Sequence, residues 1–384
     1  MDKIKVMSIF GTRPEAIKMA PLALELGKNE NIISQVCVTA QHRQMLDSVM
    51  ECFNLKADYD LDIMGKNQTL TDVTTKVLSG LKELLQEAKP DLILVHGDTT
   101  TTFSAALAAF YAKIPVGHVE AGLRTFDMYS PYPEEMNRNL VSKIATLHFA
   151  PTHKNAENLN NENVTDNVFI TGNTVIDAMK YTIRNSNSFD SQELNEIDIE
   201  NKKLIVLTCH RRENYGKPME NIFRAVKNIA ENNSDVVFVY PVHLSPVVRD
   251  CANKILSGIE NVKLIEPLDA MDMHKLMSKS YMVMTDSGGI QEEAPALGKP
   301  VLVLRKETER PEAVAAGTVR LTGTEYDDVV SDANLLLKDQ EVYDKMAKAV
   351  NPYGDGNACQ RIISAILYWA QMSSEVPQEF NPEG

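Results

Sequence analysis

Short apolar runs rich in β-branched residues recur along this chain, and each is followed by a stretch of helical length and period. Residues 4–10 (IKVMSIF), 34–40 (SQVCVTA), 91–97 (DLILVHG), 114–120 (IPVGHVE), 147–150 (LHFA) and 168–172 (VFITG) form one series. Residues 203–209 (KLIVLTC), 235–241 (DVVFVYP), 262–266 (VKLIE), 281–286 (YMVMTD), 300–305 (PVLVLR) and 318–323 (TVRLTG) form another. Continuous apolar runs suit strands covered on both faces. The segments between them, such as ALAAFYA and MENIFRAVKNIAE, carry the helical period. Strand and helix in alternation predict parallel sheets.

The alternation breaks between about 173 and 201. There TVIDAMKYTIRN gives way to NSNSFDSQELNEIDIENK, polar and rich in Asn, Ser, Asp and Glu. We read a helix and then a surface linker. A chain of 384 residues also exceeds one ordinary core. Two Rossmann-like α/β domains are therefore expected, over 1–172 and 173–356. After Asn351, PYGDGNAC leads into an apolar helix. No strand precedes its glycines, so they read as a helix entry with special backbone angles. The polar tail SSEVPQEFNPEG is expected to fray.

The net charge of −14 argues against a general nucleic-acid or anionic-membrane binder. An anionic ligand would need a local cluster of cations. The five cysteines are scattered and form no CxxC pair, which predicts buried thiols in a reducing compartment. The opening MDKIKVMSIFG reads as a strand and loop, not a signal peptide. No uninterrupted apolar stretch reaches the roughly 18 residues of a membrane span, so a cytoplasmic location is expected. A complete GxGxxG, a GxSxG, a P-loop and metal-ligand spacings are all missing. Neither NAD nor a metal is expected as cofactor.

Ligands of open parallel sheets sit outside the carboxyl ends of strands. After the first run comes GTRPEAIKMAP, where Arg13 and Lys18 flank a helix start, an environment suited to phosphate. After the second, Gln41, His42, Arg43 and Gln44 open a helix. Asp98 ends the third run ahead of four threonines, placed either as a general base or as an N-cap. The fourth leads to Glu120, Arg124, Glu134, Glu135 and Arg138. Glu134 and Arg138 have the i,i+4 spacing of a helix ion pair. In the second half His210, Arg211 and Arg212 follow a strand, as does His243. TDSGGIQEEA (285–294) places paired glycines at a helix start, an anion site, with Glu292 and Glu293 a turn later.

GTRPEAIKMAP, HGDTTT, HVEAGLRT, PEEMNR, HRREN, PVH, TDSGGIQEEAPALGKPVLVLR and ERPEA occur in this order from residue 4 to roughly 370. Together they closely resemble the non-hydrolysing UDP-N-acetylglucosamine 2-epimerases. The resemblance implies a GT-B glycosyltransferase-like fold, two Rossmann-like domains facing across a cleft. It also implies that the helix at about 357–373 returns to the N-terminal domain. The implied activity is reversible conversion of UDP-GlcNAc to UDP-ManNAc without NAD. UDP would be eliminated to give 2-acetamidoglucal and then added back.

By resemblance Asp98, Glu120 and Glu134 are the acid/base candidates and His210 serves the diphosphate leaving group. Arg13, Lys18 and Arg138 position substrate. Ser287, Gly288 and Gly289 hold the diphosphate through N–H groups, Glu293 the ribose, and Arg310 supports the nucleotide. Some relatives bind a second UDP-GlcNAc as activator; Gln41, Gln44, Glu134, Arg211 and His243 are the corresponding contacts, and Asn67 stands where some regulated relatives carry Arg. A homodimer and a role in cell-envelope polysaccharide synthesis are implied in the same way. A GT-B glycosyltransferase, a hydrolysing 2-epimerase and a non-enzymatic sugar-nucleotide sensor are the competing readings.

Overall fold

The computed structural model of the chain describes residues 3–40, 43–65, 68–183 and 188–382. The chain divides into two compact units, one running to Tyr181 and resuming over Tyr353–Pro382, the other spanning Thr182–Pro352.

The first unit holds a seven-stranded parallel sheet of β1 (Ile4–Phe10), β2 (Ile32–Val38), β3 (Tyr59–Asp60), β4 (Leu92–His96), β5 (Val116–Val119), β6 (Leu147–Ala150) and β7 (Val168–Ile170). Its order is β3-β2-β1-β4-β5-β6-β7. The two-residue β3 is the one strand that the sequence pattern does not reveal; it is too short to carry a period. Alternate residues feed two cores, as strand geometry requires. Val6, Phe10, Leu92 and Leu94 pack with the helix Arg13–Lys28 and with Ile362 and Ile366 of the helix Ala358–Trp369. Met7, Ile9, Ile93 and Val95 pack on the other face with Val77, Leu81 and Ala105.

The second unit holds β8 (Lys203–Thr208), β9 (Val236–Pro241), β10 (Val262–Ile265), β11 (Met282–Thr285), β12 (Val301–Val303) and β13 (Val319–Leu321). They form a six-stranded parallel sheet in the order β10-β9-β8-β11-β12-β13. Both sheets are doubly wound, with the order reversing beside their first strand. This is the expected pair of Rossmann-like domains of a GT-B-like fold. Among the described residues no helix is long and apolar enough to cross a membrane.

Three expectations change. The helix Thr174–Thr182 lies with the first unit rather than opening the second, because Asp177 accepts the N–H groups of Ala358 (3.1 Å) and Cys359 (3.0 Å). The polar linker is not wholly solvated: Phe189 and Leu194 are buried, and Asp272 accepts the N–H groups of Asp190 and Ser191. The tail is docked, with Phe380 buried beneath the Arg361 guanidinium and its N–H donating to the Ile170 carbonyl at 2.7 Å. Gly354 and Gly356 both take positive φ ahead of the last helix, as their spacing predicted.

Candidate functional site

In the first unit the strand order switches between β1 and β4, and the singled-out residues gather at the tips of β1, β4 and β5. The turn after β1 needs Gly11 for space. A Cβ there would lie 1.9 Å from Thr39 Oγ1 and 3.0 Å from Thr101 Oγ1. Beside it stands Glu15, which the sequence reading passed over. Its Oε2 accepts the N–H groups of Gly11 (3.0 Å) and Thr12 (2.7 Å); its Oε1 accepts the hydroxyls of Thr99 (2.6 Å) and Thr102 (3.0 Å). The turn is therefore not the open phosphate site expected, since a carboxylate of the chain already occupies those donors. The Thr-x-x-Glu spacing in TRPE was the available signal. Arg13 is half-buried and forms no hydrogen bond or ion pair among the described residues.

Lys18 pairs with Glu120 Oε2, and His96 Nε2 lies 2.9 Å from the same oxygen. Glu120 leaves β5 at φ 61°, a left-handed conformation that costs a non-glycine residue energy. Burial opposes its charge, but Lys18 and His96 outweigh burial and hold the carboxyl well below its usual range. His118 is fully buried, with Nε2 2.7 Å from the Gly97 carbonyl; burial pushes it down to about 3, so it is a neutral donor to that carbonyl.

Asp98 is not the N-cap. Thr99 caps the helix Thr100–Tyr111 instead, accepting from Thr102 N–H. Asp98 Oδ2 receives Arg138 Nε (2.9 Å) and Nη2 (2.7 Å), and its carbonyl receives Asn137 Nδ2 (2.8 Å). The expected Glu134–Arg138 pair does not form. Glu135 takes that place: it is buried, with Oε2 3.0 Å from Arg138 Nη1 and Oε1 bonded to the Phe126 N–H. Glu134 keeps a buried Oε2 without a hydrogen-bond partner. Arg124 is committed elsewhere, in a two-nitrogen grip on Glu162.

In the second unit the corresponding switch lies between β8 and β11. Asp286, also passed over in the sequence, stitches the two tips together. It is fully buried, and its Oδ2 accepts His210 N–H (2.8 Å), Arg211 N–H (2.8 Å) and Asn214 Nδ2 (3.0 Å). The His210 ring stacks on His243, centroids 5.3 Å apart. Burial lowers its affinity for a proton; Asp286 opposes that, and His243 and Arg211 add to it.

The Ser287 N–H is already bonded to Thr285 Oγ1 at 2.9 Å, which removes it from the expected set of anion donors. The N–H groups of Gly288 and Gly289 form no such bond among the described residues. Neither glycine needs positive φ. A Cβ at Gly288 would stand in ordinary contact, 3.6 Å from Arg211 Nη2, whereas one at Gly289 would crowd Glu293 Oε1 at 3.3 Å. Glu292 is buried and ion-paired with Arg310, while its carbonyl accepts Asn351 Nδ2 at 2.9 Å. Glu293 Oε2 lies 3.4 Å from His274 Nε2. Gln41, Asn67 and the side chain of Gln44 lie outside the described residues. No cluster of three metal-ligating side chains occurs among the described residues.

The model of the UDP-N-acetylglucosamine 2-epimerase family matches residues 24–367. A UDP-N-acetylglucosamine 2-epimerase of Bacillus subtilis is 54% identical over 381 residues, covering 99% of this chain and 99% of that protein. One from Escherichia coli K12 is 53% identical over 369 residues, 94% of this chain and 98% of its own. The crystal structure of the Neisseria meningitidis UDP-GlcNAc 2-epimerase bound to UDP-GlcNAc superposes with TM-score 0.84 at 52% identity, over 95% of this chain and 100% of that one. The Methanocaldococcus jannaschii UDP-GlcNAc 2-epimerase in complex with UDP-GlcNAc and UDP gives 0.74 at 32% identity, with 95% and 100% covered.

Proposed function

The chain belongs to the UDP-N-acetylglucosamine 2-epimerase family, and from that premise we propose that it is an isomerase interconverting UDP-GlcNAc and UDP-ManNAc at C2. The C2 proton is not acidic by itself. As the C1–O bond to UDP breaks, positive charge grows at C1 and the neighbouring proton becomes removable. Anti-elimination gives 2-acetamidoglucal and UDP; protonation of the other face and return of UDP invert C2. No hydride leaves the sugar, so the reaction needs no nicotinamide, and no step requires a metal.

The contrast among three carboxylates of the first unit carries this reading. Glu120 is held anionic by Lys18 and His96, which suits it to stabilise the charge at C1. Glu134 has an unengaged oxygen and suits exchange of the C2 proton. Asp98, gripped on one oxygen by Arg138, is the second acid/base group. Arg13, Lys18 and Arg138 position the sugar nucleotide. In the second unit His210 and the N–H groups of Gly288 and Gly289 receive the diphosphate, Glu293 the ribose hydroxyls, and Arg310, held by Glu292, supports the nucleotide side. Arg211 and His243, with Gln41 and Gln44, are proposed to meet a second, activating UDP-GlcNAc. That the M. jannaschii relative was solved in complex with UDP-GlcNAc and UDP supports this reading. A homodimer acting in the cytoplasm on cell-envelope precursors completes the proposal.

Incubation with UDP-GlcNAc alone in heavy water tests it. The expected result is UDP-ManNAc with deuterium at C2 of both sugars. A glycosyltransferase would leave C2 unlabelled and wait for an acceptor; a hydrolysing enzyme would release free ManNAc.

A further inference from the structure

We infer that Asp286 is a positioning residue for His210: its Oδ1 fixes the proton of the neutral ring on Nδ1 and leaves Nε2 to meet the ligand. The inference deepens the reading of His210 as the group at the departing diphosphate. Asp286 is fully buried, and its two oxygens differ sharply. Oδ2 is saturated by His210 N–H, Arg211 N–H and Asn214 Nδ2. Oδ1 is buried with no hydrogen-bond partner, and His210 Nδ1 lies 3.5 Å from it. A buried carboxylate oxygen left without a donor is costly. A small rotation of the His210 ring brings Nδ1–H into bonding range, and the side chain, 36% exposed, has room for it.

The other groups facing the ring do not compete for that proton. His243 stacks on it with 13° between the planes, a contact through the ring face. Arg211 carries only donors. The Cys209 thiol is held protonated by burial and then by Asp286. Asp286 is thus the acceptor at Nδ1, and the partner of one ring nitrogen decides the tautomer. With Nδ1 carrying the first proton, a second enters at Nε2. The imidazolium then donates Nε2–H to the phosphate oxygen freed as the C1–O bond breaks. When that oxygen returns to C1 the hydrogen bond relaxes, and no proton is consumed.

Nitrogen-15 NMR of the intact, histidine-labelled enzyme, at a pH where the ring is neutral, tests the assignment. The His210 signal is identified by its loss in His210→Gln. A ring protonated on Nδ1 is expected; one protonated on Nε2 overturns the inference. This measurement needs no substrate, so it stands or fails apart from the epimerase reading. Asp286→Asn supplies the second arm. Its amide oxygen can keep the three donors while its NH2 group faces Nδ1, which moves the ring proton to Nε2. Turnover should then fall on the order of 100-fold, with UDP still bound. The alkaline limb of the pH profile should move to lower pH, because the imidazolium has lost its carboxylate. A purely structural role would leave the tautomer and that limb in place, and wild-type values for both in Asp286→Asn would overturn the proposal.

Discussion

Arg138 closes on a single oxygen of Asp98 with two of its nitrogens, Nε at 2.9 Å and Nη2 at 2.7 Å. Its third nitrogen is held by Glu135 at 3.0 Å. Only a planar, forked cation can hold both carboxylates at once. Arg138→Lys should therefore lower kcat/KM on the order of 100-fold with the circular dichroism spectrum unchanged. Turnover like that of the parent would mean that Asp98 works without this grip.

Glu120 ties acid stability to its ion cluster with Lys18 and His96. Its carboxyl sits well below the ordinary 4.5 in the folded chain. A depressed folded value contributes stability above the unfolded value, and that contribution is lost as pH falls toward and through the folded one. Thermal unfolding of the parent and of Glu120→Gln should therefore differ most near neutrality and converge as pH drops below about 4.5. Near neutrality the variant should lose about 1–3 kcal/mol, because Lys18 and His96 are left without their anion. A difference in melting temperature that is constant down to acid pH would show that the ion cluster does not contribute this way.

Gly11→Ala should destabilise the first unit by about 1–3 kcal/mol. The added Cβ meets Thr39 and Thr101, both fully buried and bonded to each other at 3.3 Å, so neither hydroxyl yields cheaply. Calorimetry reads this directly. A melting temperature equal to the parent's would mean that the turn relaxes around the methyl group.

Buried Glu292, whose N–H donates to the Gly289 carbonyl at 2.9 Å, pairs with the partly buried Arg310. Glu292→Gln and Arg310→Ala should each weaken UDP binding about tenfold, and the double variant hardly more, since neighbours in one interaction do not add. Titration calorimetry with UDP closes the cycle. Fully additive losses would separate the two residues.

Much of this was legible in the sequence because both domains rest on period and punctuation. Apolar runs such as IKVMSIF and DLILVHG became β1 and β4, and Asp98, Glu120 and His210 stand just past the ends of β4, β5 and β8, where the pattern put them. Hydrogen-bond partners were not legible. Glu15 and Asp286 carry no periodic signal; their roles depend on donors that are far away in sequence, such as Thr99 for Glu15 and the His210 N–H for Asp286. The same blindness put Arg138 with Glu134, four residues back along the helix, when the fold offered Asp98 from the loop after β4. The linker and tail misled for the opposite reason. Their polar composition hid single anchors, Phe189, Leu194 and Phe380, that buried contacts hold in place.

Asn173 N–H donates to the Tyr353 carbonyl at 2.7 Å, and Asp177 receives the start of the last helix. The chain thus leaves the first unit and re-enters it at adjoining points, which makes the second unit a guest inserted in a host. A host of this kind closes its core only when its final segment has been synthesised. The guest, complete by Pro352, is whole earlier on the ribosome. The first half of the gene therefore encodes the last domain to be finished. A stop codon ahead of Ala358 would strand a folded guest on an unclosed host, exposing the apolar faces of Met19, Leu22 and Leu26 that Ile362 and Ile366 help to cover.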